Sequence, residues 1–242
     1  EMFGSIRSTR STNVYLGGEW NAVLCHDGGP SFALDLIKDK AYCDNFTGTF
    51  GRVDNGKKRE FTEYILTGDL EKNFNSKKYS KEYNEHYPGT HYTFSNKDYE
   101  LSDADGATGC SEIQLVPFKH NGSTLKYNEE KGTYDYYEYG EPHLDPQHDN
   151  AQLTFKNLLI QSCSFADLGE GYLVYNIIDG GGNEGYYITN GKVVPVTWYK
   201  ESDTSPTEYY NRTTGEQIKL NTGKTYIAIV PSDAWDDIVI KK

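Results

Sequence analysis

Tyr186-Tyr-Ile-Thr-Asn-Gly-Lys-Val-Val-Pro-Val-Thr-Trp198 is the stretch that decides the fold. Asn190-Gly191 is a dipeptide that accepts positive φ at both central positions of a type I′ turn, and the residues on either side are β-branched or aromatic. The reading is a β-hairpin. Working outward, Leu153 to Phe165 and Tyr172 to Ile178 are rich in Leu, Ile, Val, Phe and Tyr, with Asp179-Gly-Gly-Gly-Asn183 ahead of the hairpin. On the other side, Thr207–Tyr210, Gln217–Leu220 and Thr225–Val230 are divided by Asn211-Arg-Thr-Thr-Gly215 and Asn221-Thr-Gly223, turn chemistry at short spacing. The C-terminal third is therefore expected to be antiparallel sheet. Lys192 to Pro231 should form one meander with Trp198 on its buried face.

The chain has 242 residues, enough for one large domain or two small ones. Only 36% of it is hydrophobic, but 21 tyrosines and 24 glycines suit a half-exposed sheet protein, because tyrosine covers a core and still meets water. A net charge of -12 argues against nucleic acid as a partner, since phosphate binding needs clustered Lys and Arg. The same charge disfavours simple adhesion to an anionic membrane, and no run of 18 apolar residues is present. Cys25, Cys43, Cys110 and Cys163 are widely spaced, without the CxxC pairs of zinc ribbons or thioredoxins. The even count permits disulfides, and the reading set ahead of bridging is that Cys25 and Cys163 are small apolar fillers in strands.

Near the start, Arg7-Ser8-Thr9-Arg10 precedes a polar stretch to Gly17-Gly18. Asn21 to His26 reads as a strand, Asp27-Gly28-Gly29-Pro30 as a turn, and Ser31 as the N-cap of a helix bearing Phe32, Leu34, Leu36 and Ile37. Such a βα unit leaves amide hydrogens at the helix start with the helix dipole behind them, a seat for an anion. The turn lacks the glycine patterns of nucleotide-binding loops. Another helix is expected from Thr67 or Asp69, a solvated segment from Asn75 to Pro88, and a turn at Asn121-Gly122 between strands.

Ile6-Arg-Ser-Thr-Arg10, Glu19-Trp-Asn-Ala-Val23 and His26-Asp-Gly-Gly-Pro-Ser31 together resemble the signature of the YerB-like lipoproteins, a bacterial family of uncharacterised function. The resemblance continues through Gly140-Glu-Pro-His-Leu-Asp145, Leu158-Leu-Ile-Gln161, Thr197-Trp-Tyr-Lys200 and Leu220-Asn-Thr-Gly-Lys-Thr225, and is weak between about Lys57 and Thr133. It implies a layered sheet, sheet and helix arrangement. It also implies an extracytoplasmic protein held to the cell membrane by a lipid anchor that is absent from this chain, with the first segment of the N-terminal domain missing. Gly17-Gly18 departs from the family, whose members read as helix there. Two adjacent glycines cost an exposed helix roughly 2 kcal/mol relative to alanines, so this helix is expected to be short or broken.

Arg7, Ser8 and Arg10 beside Gly28, Gly29 and Ser31 are the principal candidate site, because guanidinium forks next to a helix start grip a carboxylate or phosphate bidentately. The alternative is that the arginines pair with the chain's own acids and brace the βα unit. His26 and Asp27 lie at the carboxyl end of the expected strand, where open α/β sheets place ligands. A structural His26, bonded to backbone, is the competing reading. His143, Asp145, His148 and Asp149 group potential ligands in one loop, although Pro142 and Pro146 fix its shape and no metal-binding helix motif accompanies them. Asp103-Ala-Asp-Gly106 with Glu112 echoes a calcium loop whose first position, Leu101, cannot ligate. Neither a metal nor a cofactor is expected. Tyr134, Tyr136, Tyr137, Tyr139, Trp198 and Tyr199 offer aromatic surface for a sugar ring, but alternation sends at least one pair to the core.

The expectation is an α+β fold, mostly antiparallel β with a helix layer. Residues 1–140 should form an N-terminal α/β part, 141–150 a linker and 151–242 a C-terminal β part. The expected function is that of an envelope-tethered binding or scaffold protein for a cell-envelope glycan, peptide or small anionic ligand. The alternative is a hydrolase using His26, His143 and Asp145.

Overall fold

The computed structural model describes residues 1–48, 50–169 and 172–242. The chain divides into two compact units, one of residues 1–89 with 202–206, the other of 90–201 with 207–242.

The first unit runs β1 (Met2–Gly4), α1 (Ser11–Trp20), β2 (Leu24–Cys25), α2 (Ser31–Asp39), β3 (Asn45–Phe46), β4 (Gly51–Arg52), β5 (Glu63–Leu66) and α3 (Thr67–Ser76). β1, β5 and β4 form an antiparallel sheet in that order, and β2 pairs with β3 in parallel. Contrary to expectation, α1 is continuous through Gly17 and Gly18. A Cβ on Gly18 would sit 2.6 Å from the Tyr42 ring, so the glycine is what lets that ring lie on the helix. Val14, Tyr42 and Cys43 are buried together, with Leu24, Leu36 and Ile37 packed on them. Packing thus offsets the helix propensity lost at the glycines. Pro30 rather than Ser31 occupies the N-cap of α2, and Ser31 is its first helical residue without a side-chain cap. A proline has no amide hydrogen to leave orphaned there.

The second unit continues with β6 (Thr93–Phe94), β7 (Thr108–Gly109), β8 (Glu112–Gln114), β9 (Thr124–Asn128), β10 (Thr133–Glu138), β11 (Glu141–Pro142), β12 (Leu144–Asp145), β13 (Ala151–Gln152) and β14 (Thr154–Phe155). Then come β15 (Asn157–Cys163), β16 (Phe165–Asp167), β17 (Leu173–Tyr175), β18 (Asp179–Thr189), β19 (Lys192–Lys200), β20 (Glu208–Asn211), β21 (Lys219–Leu220), β22 (Thr225–Pro231) and β23 (Val239–Lys241). One sheet has the order β20-β19-β18-β15-β22, the other β11-β10-β9-β8-β23. Their facing side chains fill one core: Leu158, Ile160, Ile188, Val193, Ala228 and Val230 from the first, Ile113, Leu125, Tyr134 and Tyr136 from the second. The β18–β19 hairpin turns at Asn190 and Gly191, with φ of 48° and 71°, as its sequence requires.

Two expectations change here. Residues 192–231 are not one meander, because β22 returns beside β15 in parallel and β21 pairs in parallel with β6. β15 is buried along its whole length, so it has room for a neighbour on each edge. Residues 141–150 are not a free linker either. Tyr139 and Gly140 take positive φ, 54° and 80°, and turn β10 back into β11, while β12 pairs with β13. The fold is mostly β, with few helices and antiparallel sheets, as the sequence predicts. No helix among the described residues is long and apolar enough to cross a membrane.

Candidate functional site

The arginine segment and the glycine turn, separated in sequence, lie side by side in the first unit. The Thr9 amide donates to the Gly28 carbonyl (2.9 Å) and the Asp27 amide to the Arg7 carbonyl (3.0 Å). Ser8 Oγ donates to the Asp27 carbonyl at 3.2 Å. The approach is close: a Cβ on Gly29 would sit 2.9 Å from Thr9 Cγ2 and 3.2 Å from the Thr9 carbonyl oxygen, so any larger residue would push Thr9 aside. Gly28, at φ 64°, is in the left-handed region that glycine adopts without strain. The amides of Gly29 and Ser31 meet no carbonyl acceptor among the described residues.

The two guanidinium groups differ in their engagement. Arg7 donates to Glu60 Oε2 at 2.8 Å and lies 4.5 Å from the centre of the Phe61 ring. Both side chains of that ion pair are about half exposed, so it is worth at most roughly 1 kcal/mol. Arg10 donates to the carbonyls of Thr9 (2.8 Å) and Ser8 (3.3 Å), bracing the segment. It also precedes α1, whose Asn13 side chain accepts the Arg10 amide at 2.9 Å.

His26 is buried and places Nδ1 2.8 Å from the Gly28 carbonyl. A carbonyl can only accept, so Nδ1 carries the hydrogen in this contact. Nε2 is buried and finds no partner among the described residues. His26 thus helps to shape the turn.

Sequence reasoning missed Glu63 and Arg52. The Glu63 carboxyl, in β5, is buried beside the Asp27 carboxyl. It also accepts from Arg52 Nη2 at 2.8 Å and from the Phe50 amide at 3.4 Å. Burial first, and the Asp27 carboxyl second, hold Glu63 above the usual carboxylate range, while Arg52 and the Phe50 amide pull the other way. Alternation along β5 points Glu63 and Ile65 inward together, but no spacing in the sequence names Asp27 as its partner.

That raised pKa has a definite sign. The folded chain holds the Glu63 proton more tightly than the unfolded chain does. Its contribution to stability is therefore complete below the unfolded pKa of about 4.3 and is lost as pH rises through the elevated folded value. Glu63→Gln cannot titrate, and it retains one of the two acceptor oxygens that Arg52 and the Phe50 amide use. In urea unfolding across this range, the variant should gain on the wild type as pH rises; parallel profiles would show that Glu63 titrates normally.

The remaining candidates take partners of their own in the second unit. His143 Nδ1 lies 2.9 Å from Glu138 Oε2, and Glu138 Oε1 accepts from Tyr136 and Asn121. Asp145 accepts from His148 Nδ1 at 2.7 Å, which with the Gln147 amide holds its carboxyl below the usual range. No set of three His, Cys, Asp or Glu side chains suited to a metal is formed among the described residues. Asp105, in the calcium-like stretch, instead caps its own turn through Ser102 and accepts from Tyr99. All four cysteines are free. Burial raises their thiols, to about 11 for Cys25, Cys43 and Cys110 and about 12 for Cys163, so they are not activated nucleophiles.

The N-terminal domain model of the proteins of unknown function called DUF3048 matches residues 1–80, and the C-terminal domain model of the same family matches 114–227. The chain belongs to the DUF3048 family. Its fold is similar to the crystal structure of the YerB protein from Bacillus subtilis, with a TM-score of 0.77 at 19% identity, covering 100% of this chain and 78% of that one. No curated protein matches the sequence. In this DUF3048 chain the N-terminal match contains the whole arginine, turn and Glu63 arrangement.

Proposed function

We propose that the protein is an extracytoplasmic, envelope-tethered binding protein whose first unit takes a small anionic group of a cell-envelope glycan or peptide. The observation that carries this reading is the pair of backbone hydrogen bonds, Thr9 to Gly28 and Asp27 to Arg7, that fixes the arginine segment along the turn at the start of α2. A carboxylate or phosphate there meets the Gly29 and Ser31 amides, the positive end of the helix dipole and the Arg7 fork. Glu60 is a weak competitor for Arg7, being half exposed. The charge of -12 favours a single anionic group on an otherwise neutral body over a polyanion. The extracytoplasmic, lipid-anchored location rests on the resemblance to YerB-like lipoproteins. No observation favours the hydrolase alternative: His26 Nδ1 is occupied by the Gly28 carbonyl, and His143 and Asp145 each bond to a different residue.

Calorimetric titration with glycerol phosphate and with a muropeptide bearing free carboxylates tests the reading. The Arg7→Ala/Arg10→Ala double variant should bind at least about tenfold more weakly, because a hydrogen bond to a charged group contributes roughly 1.5–3 kcal/mol. Unchanged affinity removes the site from consideration.

A further inference from the structure

The second unit carries a cleft on one face of its β20-β19-β18 sheet, separate from the arginine site. It measures about 520 Å³, within the roughly 300–1,000 Å³ of small-molecule sites. Cross-strand pairing makes its floor: Thr197 lies opposite Tyr210, and Tyr199 opposite Glu208. By alternation these four side chains share a face, while Trp198 and Tyr209 go to the other and are buried. The Tyr199 and Tyr210 rings meet edge to face, 5.7 Å apart at an interplanar angle of 79°. Gly180, Glu201, Arg212 and Gly215 also line it.

Glycines keep the cleft open. β18 slips register between Asp179 and Asn183, and a Cβ on Gly182 would collide with the Tyr199 ring. A Cβ on Gly180 would sit 2.8 Å from a Glu201 carboxylate oxygen. The Asp179 carboxylate, accepting from the Gly181 amide and the Asn183 side chain, holds this bulge in shape.

The polar groups of the cleft are largely unspent. No hydrogen bond from the side chains of Glu201, Thr197 or Tyr199 reaches a described residue. Glu208 accepts from the Tyr210 hydroxyl at 3.2 Å and from Gln217 at 3.4 Å. Arg212 reaches Glu184 only at 3.9 Å, with both side chains about half exposed. Burial, followed by the neighbouring Glu208 charge, raises the Tyr210 hydroxyl above its ordinary pKa, so it remains an O–H donor.

We propose that this cleft binds a sugar ring of a carbohydrate chain. An aromatic face attracts the slightly positive C–H face of a pyranose, as its quadrupole attracts other edge hydrogens. Carboxylates accept from neighbouring sugar hydroxyls, a guanidinium donates to ring and acetal oxygens, and tyrosine and threonine hydroxyls do either. A cation would be opposed by Arg212 and an anion by Glu201 and Glu208, so a neutral hydroxyl-rich ligand fits the mixed charge. Trp198, one of the aromatic residues offered from sequence, is sealed in the core, and Tyr199 finds its partner in Tyr210 instead.

The test titrates the full chain with chitotriose, maltotriose and mannotriose, and with spermidine as a cationic control, each followed by calorimetry. At least one trisaccharide should bind. Tyr210→Ala and Glu201→Gln should each weaken that binding about tenfold or more, since aromatic contact and hydrogen bonds to a charged group are each worth that much. Glu201→Gln preserves shape at a side chain with no hydrogen-bond partner among the described residues, so an intact unfolding transition in that variant separates lost binding from lost folding. The Arg7→Ala/Arg10→Ala variant should bind the trisaccharide as the wild type does, which keeps this outcome distinct from the fate of the arginine site. No binding of any trisaccharide, binding indifferent to both cleft substitutions, or preferential binding of spermidine overturns the proposal.

Discussion

Trp198→Ala should lower the free energy of unfolding by about 3–5 kcal/mol, a large share of the roughly 5–15 kcal/mol that holds a typical native domain. The indole is fully buried in β19, and its N–H donates to the Ser162 carbonyl of β15 at 3.1 Å. Alanine removes the packing of the largest fully buried side chain among the described residues and leaves that carbonyl without the indole donor. Trp198→Phe separates the two effects, keeping most of the volume while losing the hydrogen bond, and should cost about 1–3 kcal/mol. Denaturant unfolding followed by circular dichroism reads both. A loss below about 1 kcal/mol for the alanine variant would mean that the indole is not buried where β19 pairs with β18.

Asn157→Ala should be comparably damaging, for a different reason. Its carboxamide is fully buried and every valence is used. Nδ2 donates to the Asn221 carbonyl (2.8 Å) and to Thr225 Oγ1 (3.2 Å), and Oδ1 accepts from the Tyr187 hydroxyl (3.0 Å) and the Asn221 amide (3.1 Å). Asn221 in turn donates to Thr189 Oγ1 and the Tyr99 carbonyl, so this one side chain ties together β15, β18 and the loop before β22. Alanine strands several buried polar groups at about 1–3 kcal/mol each, and the expected loss is about 3–5 kcal/mol. A double-mutant cycle with Tyr187→Phe checks the cause. Phenylalanine removes the hydroxyl that the alanine substitution would orphan, so the combined loss should be smaller than the sum of the two single losses. Strict additivity would show that the Asn157–Tyr187 bond contributes nothing.

These losses concern the part of the fold that local chemistry announces best and the part it announces least. Asn190-Gly191 specifies its hairpin because few other residue pairs tolerate positive φ twice in succession. Tyr139-Gly140 makes a similar turn, but a tyrosine at φ 54° is not a turn signal, and the Pro142 and Pro146 that follow resemble linker chemistry. The parallel return of β22 beside β15 was equally hidden. Both are apolar runs, and which buried strand neighbours which is decided by the shared core, with Leu158 and Ile160 set among Ala228 and Val230, rather than by any turn.

The candidate site divides in the same way. Arg7, Ser8, Arg10 and the Asp27–Ser31 turn were legible because a glycine turn before a helix has a recognised chemistry, and the structure joins the two segments through Thr9 and Asp27. The place of Ser31 was read one residue early, since the proline ahead of it takes the cap. Glu63 and Arg52 were not legible, because their significance is that the buried Glu63 carboxyl lies beside Asp27 and Arg52, which only the folded β5 brings about.

The account rests on the amides at the head of α2 being offered to a negative group beside Arg7. Recording backbone amide chemical shifts of the full chain while titrating inorganic phosphate tests this most directly. Saturable shifts that are largest at Gly29 and Ser31, and that disappear in Arg7→Ala, are the predicted result. Phosphate leaving those two amides unmoved, or moving them equally in Arg7→Ala, would contradict it.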